Sequence, residues 1–261
     1  MQVADSRNSF GRIDLIFDLY EPPPVRRSGH LWLWGSLLFM GFAAIAQGRD
    51  AVILLHGLAR SSSSMEKMEE ALAEEGYRVF NIDYPSSTAS IEELSETAMA
   101  EVTEDPDFQE CSQVHFVTHS MGGILVRSYL SGNELPKLGR VVMLAPPNQG
   151  SEVVDEIGDW WIFEKINGPA GKELGTDEDS TPNQLGPVDF ELGIIAGDRS
   201  VNWINSTMIE GPDDGKVSVE FTKVEGMKEH IVIHATHPFI MNHAEVIEKT
   251  ILFLQTGSFE D

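Results

Sequence analysis

The sequence predicts an α/β domain built on a mainly parallel central sheet flanked by helices. Three observations carry this reading. Apolar runs at 51–55, 77–82, 114–118, 140–145 and 192–196 are short, and several are apolar throughout, as strands buried on both faces tend to be. Amphipathic segments of helical length separate the first four of them. Glycine and proline stand at the joints. Such alternation is the rhythm of βαβ units, whose crossovers pair strands in parallel.

The first strand, Ala51-Val52-Ile53-Leu54-Leu55, runs into a turn at His56-Gly57. A helix is expected over 64–75, closed by Gly76, because a residue without Cβ suits the left-handed position after a last turn. The second strand (77–82) precedes an amphipathic helix over 91–104, which must end before Pro106. The third strand (114–118) leads into a helix over 122–130 stopped by Gly132, and the fourth strand covers 140–145. The rhythm then breaks. Residues 146–187 are rich in Gly, Pro, Asn and acidic residues, with aromatics only at Trp160, Trp161 and Phe163. A stretch of this length without periodicity is expected to be a cap- or lid-like insertion, or a surface excursion pinned by its tryptophans. The sheet resumes at 192–196. Short strands are expected at 217–221 and 230–234, and a last helix at 244–254.

Two regions follow from this: a leader over 1–47 and an α/β domain over 48–261. In the leader, Arg26 and Arg27 precede an uncharged run from Leu31 to Ala46 that ends in Ala44-Ile45-Ala46. A basic stretch, an apolar core and a small-residue exit describe a secretory signal. The expectation is a secreted or periplasmic protein, with translation beginning near Val25. The alternatives are a retained membrane anchor, which would associate the protein with a membrane, and a structural helix.

Composition excludes some functions. Of the 261 residues, 41% are hydrophobic, ample for one core, and 42 acidic against 18 basic residues give a formal charge of -24. Such a surface repels phosphate backbones, so nucleic acid is not an expected partner. Cys111 is the only cysteine, which rules out an intrachain disulfide and a thiolate metal cluster. The acidic run Asp177-Glu178-Asp179 reads as a solvated loop. No P-loop or dinucleotide fingerprint occurs, and no metal or cofactor is expected.

The residues that carry chemistry stand at two joints. In Thr118-His119-Ser120-Met121-Gly122-Gly123, a serine lies between a buried strand and an amphipathic helix. A nucleophilic serine needs a sharp strand-to-helix turn to project its hydroxyl, and such a turn tolerates little bulk beside it. The pattern departs from G-x-S-x-G in having Thr118 at the first glycine position. The helix after it aims its first amides at developing negative charge, so the Met121 amide is one oxyanion donor. At the end of the first strand, His56-Gly57-Leu58 lets the backbone bend toward the serine, which makes the Leu58 amide the second donor. His56 and His119 flank these turns and read as structural or pocket-lining.

These two segments resemble the bacterial lipase and esterase branch of the α/β-hydrolase superfamily over roughly residues 50–256. Gly211-Pro212-Asp213-Asp214-Gly215-Lys216-Val217 is similar to the acid-bearing turn of those lipases. The resemblance implies a serine carboxylic ester hydrolase that works through an acyl-enzyme on Ser120, with Asp214 as acid and Leu58 and Met121 as oxyanion donors. In that family the base follows the acid, which leaves His230, His234, His237 and His243. The resemblance favours His237, in the loop before the last helix, with His243 as its rival. Asp198, after the strand at 192–196, competes with Asp214, although its neighbour Arg199 is expected to draw it into an ion pair. The implied substrate is a small-molecule or lipid ester, the tryptophan segment hinting at an apolar pocket. An acyltransferase of the same fold, or a binding protein without turnover, are the alternative readings.

Overall fold

A computed structural model describes residues 48–157, 161–201 and 203–260, with backbone alone at 157, 161–166 and 203. The leader at 1–47, with its signal or anchor reading, lies outside the described residues. Six strands form one sheet: β1 (Ala51–Leu55), β2 (Arg78–Ile82), β3 (Val114–His119), β4 (Leu138–Leu144), β5 (Leu192–Gly197) and β6 (Glu229–Ile233). Their spatial order is β2-β1-β3-β4-β5-β6, and every pair is parallel.

That order places the site. From β1 the chain steps outward to β2, then returns across β1 to β3 and continues in the opposite direction. Right-handed crossovers running in opposite directions put their helices on opposite faces of the sheet. Helix α1 (Glu66–Glu74), reached through a 3-10 turn at Ser62–Met65, therefore lies on one face. Helices α2 (Ile91–Thr103) and α4 (Met121–Gly132) pair with each other on the other, with the single turn α3 (Pro106–Gln109) after α2. The crevice at a reversal of strand order, beyond the carboxyl ends of the strands, is where open α/β sheets place their ligands. Here it opens between the ends of β1 and β3, where Leu55 pairs with Thr118.

Side-chain alternation along the strands divides the core in two. Ala51, Ile53 and Leu55 point to one face and pack with Ile91, Leu94, Val102, Phe116 and Ile124. Val52 and Leu54 point to the other and pack with Met68, Leu72, Val117 and Phe253. Helix α9 (Ala244–Thr256) supplies Phe253 and closes this second layer. Ser90 caps α2, its side chain accepting from the Glu93 amide at 3.2 Å, which offsets one of the orphan donors of the first turn.

One expectation needs correction. Residues 217–221 form no strand. Ser218 makes only an isolated bridge with Asp213, and a 3-10 turn follows at Glu220–Thr222, because the amides go to separate local acceptors: Val217 to the Asp214 carboxylate, Val219 to the Pro212 carbonyl and Phe221 to the Ser218 hydroxyl. The stretch 146–187, which shows no period in sequence, holds short helices. It contains α5 (Glu152–Ile157), α6 (Trp161–Lys172) and α7 (Thr181–Gln184), and α6 is broken at Gly168, φ 65°, ahead of Pro169. These helices are too short or interrupted to show a period. A further turn, α8 (Trp203–Ser206), follows β5.

The segment is sewn to the body by a buried arginine. Arg127 on α4 donates Nη1 to the Asn148 carbonyl (3.0 Å) and Oδ1 (3.1 Å), and Nη2 to the carbonyls of Pro182 (2.9 Å) and Gly186 (2.7 Å). Among the described residues no carboxylate pairs with it, and burial pushes its guanidinium down to about 10.

Candidate active site

Ser120 is the residue between β3 and α4, and its backbone stands at φ 53°, ψ −124°. A non-glycine residue there is strained, and the strain is held by its surroundings. The Ser120 amide donates to the Leu144 carbonyl at 2.9 Å, and its carbonyl accepts from the Gly123 amide at 3.0 Å. The bend brings the elbow against β1: a Cβ on Gly122 would lie 2.5 Å from the Leu55 carbonyl oxygen, so no other residue fits. Thr118, at the place of the first motif glycine, is fully buried within β3 and takes no part in the bend.

The serine hydroxyl reaches His237, with Oγ donating to Nε2 at 3.0 Å. His237 opens a 3-10 turn (His237–Asn242) after β6, and its Nδ1 donates to Asp214 Oδ2 at 2.7 Å. The other carboxylate oxygen, Oδ1, accepts from the amides of Lys216 (3.0 Å) and Val217 (2.9 Å). Asp214 and His237 are 1% and 4% exposed, so the low-dielectric surroundings strengthen these bonds. Ser120, His237 and Asp214 thus form one hydrogen-bonded line, brought together from three loops at the same end of the sheet.

The rivals lie elsewhere. Asp198 does not pair with Arg199; its Oδ1 meets His234 Nδ1 at 2.8 Å in an exposed pair. His230 bonds Thr222 Oγ1 at 2.8 Å, and His243 precedes the first turn of α9. None of the three histidines touches Ser120 or Asp214.

The turn after β1 sits beside the elbow. A Cβ on Gly57 would stand 2.8 Å from His119 Nδ1 and 3.2 Å from Ser120 Cβ, so the chain can pass there only as glycine. Leu58 follows directly and lines the same cleft as Ser120 and His237. Met121, fully buried, is the first residue of α4.

Several neighbours were not legible as partners in the sequence. His56, fully buried, stacks on Tyr84 with ring centroids 4.1 Å apart and 7° between planes, and the Tyr84 hydroxyl donates to the His56 carbonyl. His119 donates Nε2–H to the His237 carbonyl at 3.0 Å, steadying the loop that carries that ring. Burial first, and then the nearby His237 and Arg60, push the His119 imidazole well below its ordinary value, so it is neutral. The Thr-His-Ser run marked His119 as adjacent to the elbow; nothing marked its reach to residue 237.

The cleft above Ser120 has a volume of about 290 Å³. Pro147, Val153, Val154, Leu174 and Val201 give it an apolar wall, and Arg60 and Lys216 are its cations. No group of His, Cys, Asp or Glu able to hold a metal occurs among the described residues. Asp177, Glu178 and Asp179 lie outside the cleft lining, and Asn183 and Gln184 side chains bond the carbonyls of 177 and 178.

A family model described as the α/β hydrolase fold matches residues 50–173. That match covers β1 to β4 and the elbow at Ser120. The chain has the α/β-hydrolase fold. Solved structures agree over most of its length. Mature lipase BlEst2 of Bacillus licheniformis matches at 19% identity and TM-score 0.63, covering 81% of this chain and 93% of that one. Phospholipase PlaB of Legionella pneumophila matches at 17% identity and TM-score 0.60, over 81% of this chain but only 58% of its own. An esterase of Pyrococcus furiosus matches at 18% identity and TM-score 0.55, over 80% and 82%. The chain therefore spans little more than half of the phospholipase. No curated protein sequence matches it significantly. The chain is therefore similar in fold to lipases and esterases.

Proposed function

We propose that the protein is a serine-dependent carboxylic ester hydrolase with Ser120 as nucleophile, His237 as base and Asp214 as acid. The observation that carries this reading is the line Ser120 Oγ, His237 Nε2, His237 Nδ1, Asp214 Oδ2, with bonds of 3.0 and 2.7 Å, mounted on a strained elbow. The apolar wall of the cleft suits the hydrocarbon of an ester.

In the first step His237 Nε2 takes the hydroxyl proton as Oγ attacks the ester carbonyl. The amides of Leu58 and Met121 receive the negative charge that forms on the carbonyl oxygen. Asp214 keeps the imidazole in the tautomer with a free Nε2 lone pair and stabilises the imidazolium. When the tetrahedral intermediate collapses, the C–O bond to the alcohol breaks and His237 returns its proton to the leaving oxygen. Water then attacks the acyl-enzyme, giving its proton to His237, which passes it back to Ser120 Oγ as the acid departs.

Hydrolysis of p-nitrophenyl esters of graded acyl length tests this. Turnover by the wild type that falls to background in Ser120→Ala is expected. Equal turnover in both proteins would refute the assignment.

A further inference from the structure

The cleft reverses the charge of the protein that contains it. The chain carries 42 acidic and 18 basic residues, yet the charged groups lining the cleft, among the described residues, are Arg60, Lys216 and Asp214. Asp214 is already engaged by His237 and two backbone amides. The charged lining is therefore two cations against one carboxylate, which is turned toward His237.

The side chains of Arg60 and Lys216 have no hydrogen bond or ion pair among the described residues, although carboxylates are abundant in the chain. They are close enough to repel. Burial first, and then the charge of Arg60, lower the proton affinity of the Lys216 ammonium, Asp214 opposing them in part, and burial lowers that of Arg60. The residue before Arg60, Ala59, stands at φ 53°, a left-handed conformation that a non-glycine residue adopts at a cost. Two cations without an ion pair, Arg60 half-buried and Lys216 exposed at the cleft, beside a nucleophile and behind a strained residue, form an arrangement that an arriving anion would stabilise.

We propose that Arg60 and Lys216 select esters carrying an anionic group, a carboxylate or a phosphate, in the acyl or the alcohol part. The hydrocarbon lies against Val153 and Leu174 while the anion sits between the two cations. Turnover of such a substrate rests on Ser120 as nucleophile; its binding does not.

The test compares two esters of equal chain length, 4-nitrophenyl pentanoate and the mono-4-nitrophenyl ester of glutaric acid. The readout is the ratio of their kcat/KM values in the full chain. The glutarate ester is expected to be favoured by about tenfold or more, as a charge-assisted contact allows. In the Arg60→Gln/Lys216→Gln double variant the ratio should fall about tenfold, Lys216→Arg should retain it, and added salt should reduce it. A ratio near one in the wild type, or one unchanged in the double variant, overturns the proposal.

A binding arm keeps this separate from the nucleophile. In Ser120→Ala protein, calorimetric titration with monomethyl glutarate and with methyl pentanoate reads the same preference without turnover. If neither 4-nitrophenyl ester is hydrolysed, the serine reading fails and the titration alone decides on the anion site. Comparing a monoacylglycerol with its phosphate monoester then separates lipid phosphate from dicarboxylic half-ester. Preference for the phosphate assigns the former, and preference confined to glutarate assigns the latter.

Discussion

Asp214 and His237 are joined twice. The carboxylate accepts from the ring Nδ1 at 2.7 Å, and the Asp214 carbonyl accepts from the His237 backbone amide at 3.0 Å. The second bond ties the two loops together whatever the state of the ring, so the imidazole is aligned before a substrate arrives. This double link also separates Asp214 from Asp198, whose bond to His234 lies in solvent.

Asp214→Asn preserves the backbone link and removes the carboxylate. It should lower kcat by roughly 1,000- to 10,000-fold with little change in KM, because the imidazole then favours the wrong tautomer. Asp198→Asn should stay within about threefold of the wild type, as exposed ion pairs contribute little. Steady-state hydrolysis of p-nitrophenyl butyrate checks both, and a reversed order would move the acid to Asp198.

Gly122→Ala should disable the elbow. Its Cβ would stand 2.5 Å from the Leu55 carbonyl oxygen and 2.9 Å from that of His56, both backbone atoms of the central strand and its turn. The elbow must retreat from β1, displacing Ser120 from His237. A loss of about 100-fold in kcat is expected from such misplacement, together with about 1–3 kcal/mol of stability. Kinetics and urea midpoints measured on one preparation distinguish the two effects.

Arg127→Met should loosen the 146–187 segment. The guanidinium serves the Asn148, Pro182 and Gly186 carbonyls, which are left without a donor when it goes. Unpaired buried acceptors cost about 1–3 kcal/mol each where water cannot reach them, so an overall loss of roughly 2–4 kcal/mol is expected. Limited proteolysis should cut first within 146–187. A variant as stable and as protease-resistant as the wild type would contradict this role.

Stability should fall on the acid side of neutrality. His56, His115, His119 and His230 are all held below their ordinary value, in each case by burial first. Below about pH 6.5 the unfolded chain protonates these rings while the native protein does not. The unfolded state then binds more protons, and stability drops as pH falls, by up to about 1.4 kcal/mol per pH unit for each ring until its native pKa is reached. Above that range the effect is level. Glu152, whose carboxyl burial pushes up, works in the opposite sense, but it is one group against four. Urea midpoints at pH 5.5 should lie below those at pH 7.5. His115→Asn, which keeps an acceptor for the Arg140 amide, should narrow the gap.

Much of this was readable from the chain. The run Ala51–Leu55 is buried along its whole length, as its continuous apolarity requires, and the Thr-His-Ser-Met-Gly-Gly run lies between a strand and a helix, where the elbow forms. The misreading at 217–221 has a local cause. Val217, Val219 and Phe221 alternate like a strand, but their amides go to Asp214, Pro212 and Ser218 instead of a neighbouring strand, and no pattern of hydrophobicity records that. The short helices of 146–187 were hidden because each is too brief, or too interrupted at Gly168-Pro169, to repeat its period.

The sequence by itself determined the alternation of elements, the parallel sheet and the position of Ser120, since these depend on residues close together in the chain. Which of the four histidines and two aspartates stands in line with Ser120 was not decided there. It belongs to the tertiary structure, because residues 120, 214 and 237 meet only when loops following different strands converge at one end of the sheet. The cationic lining belongs to it as well. Arg60 and Lys216 are ordinary surface residues in sequence, 156 positions apart, and only the fold turns both into one cleft.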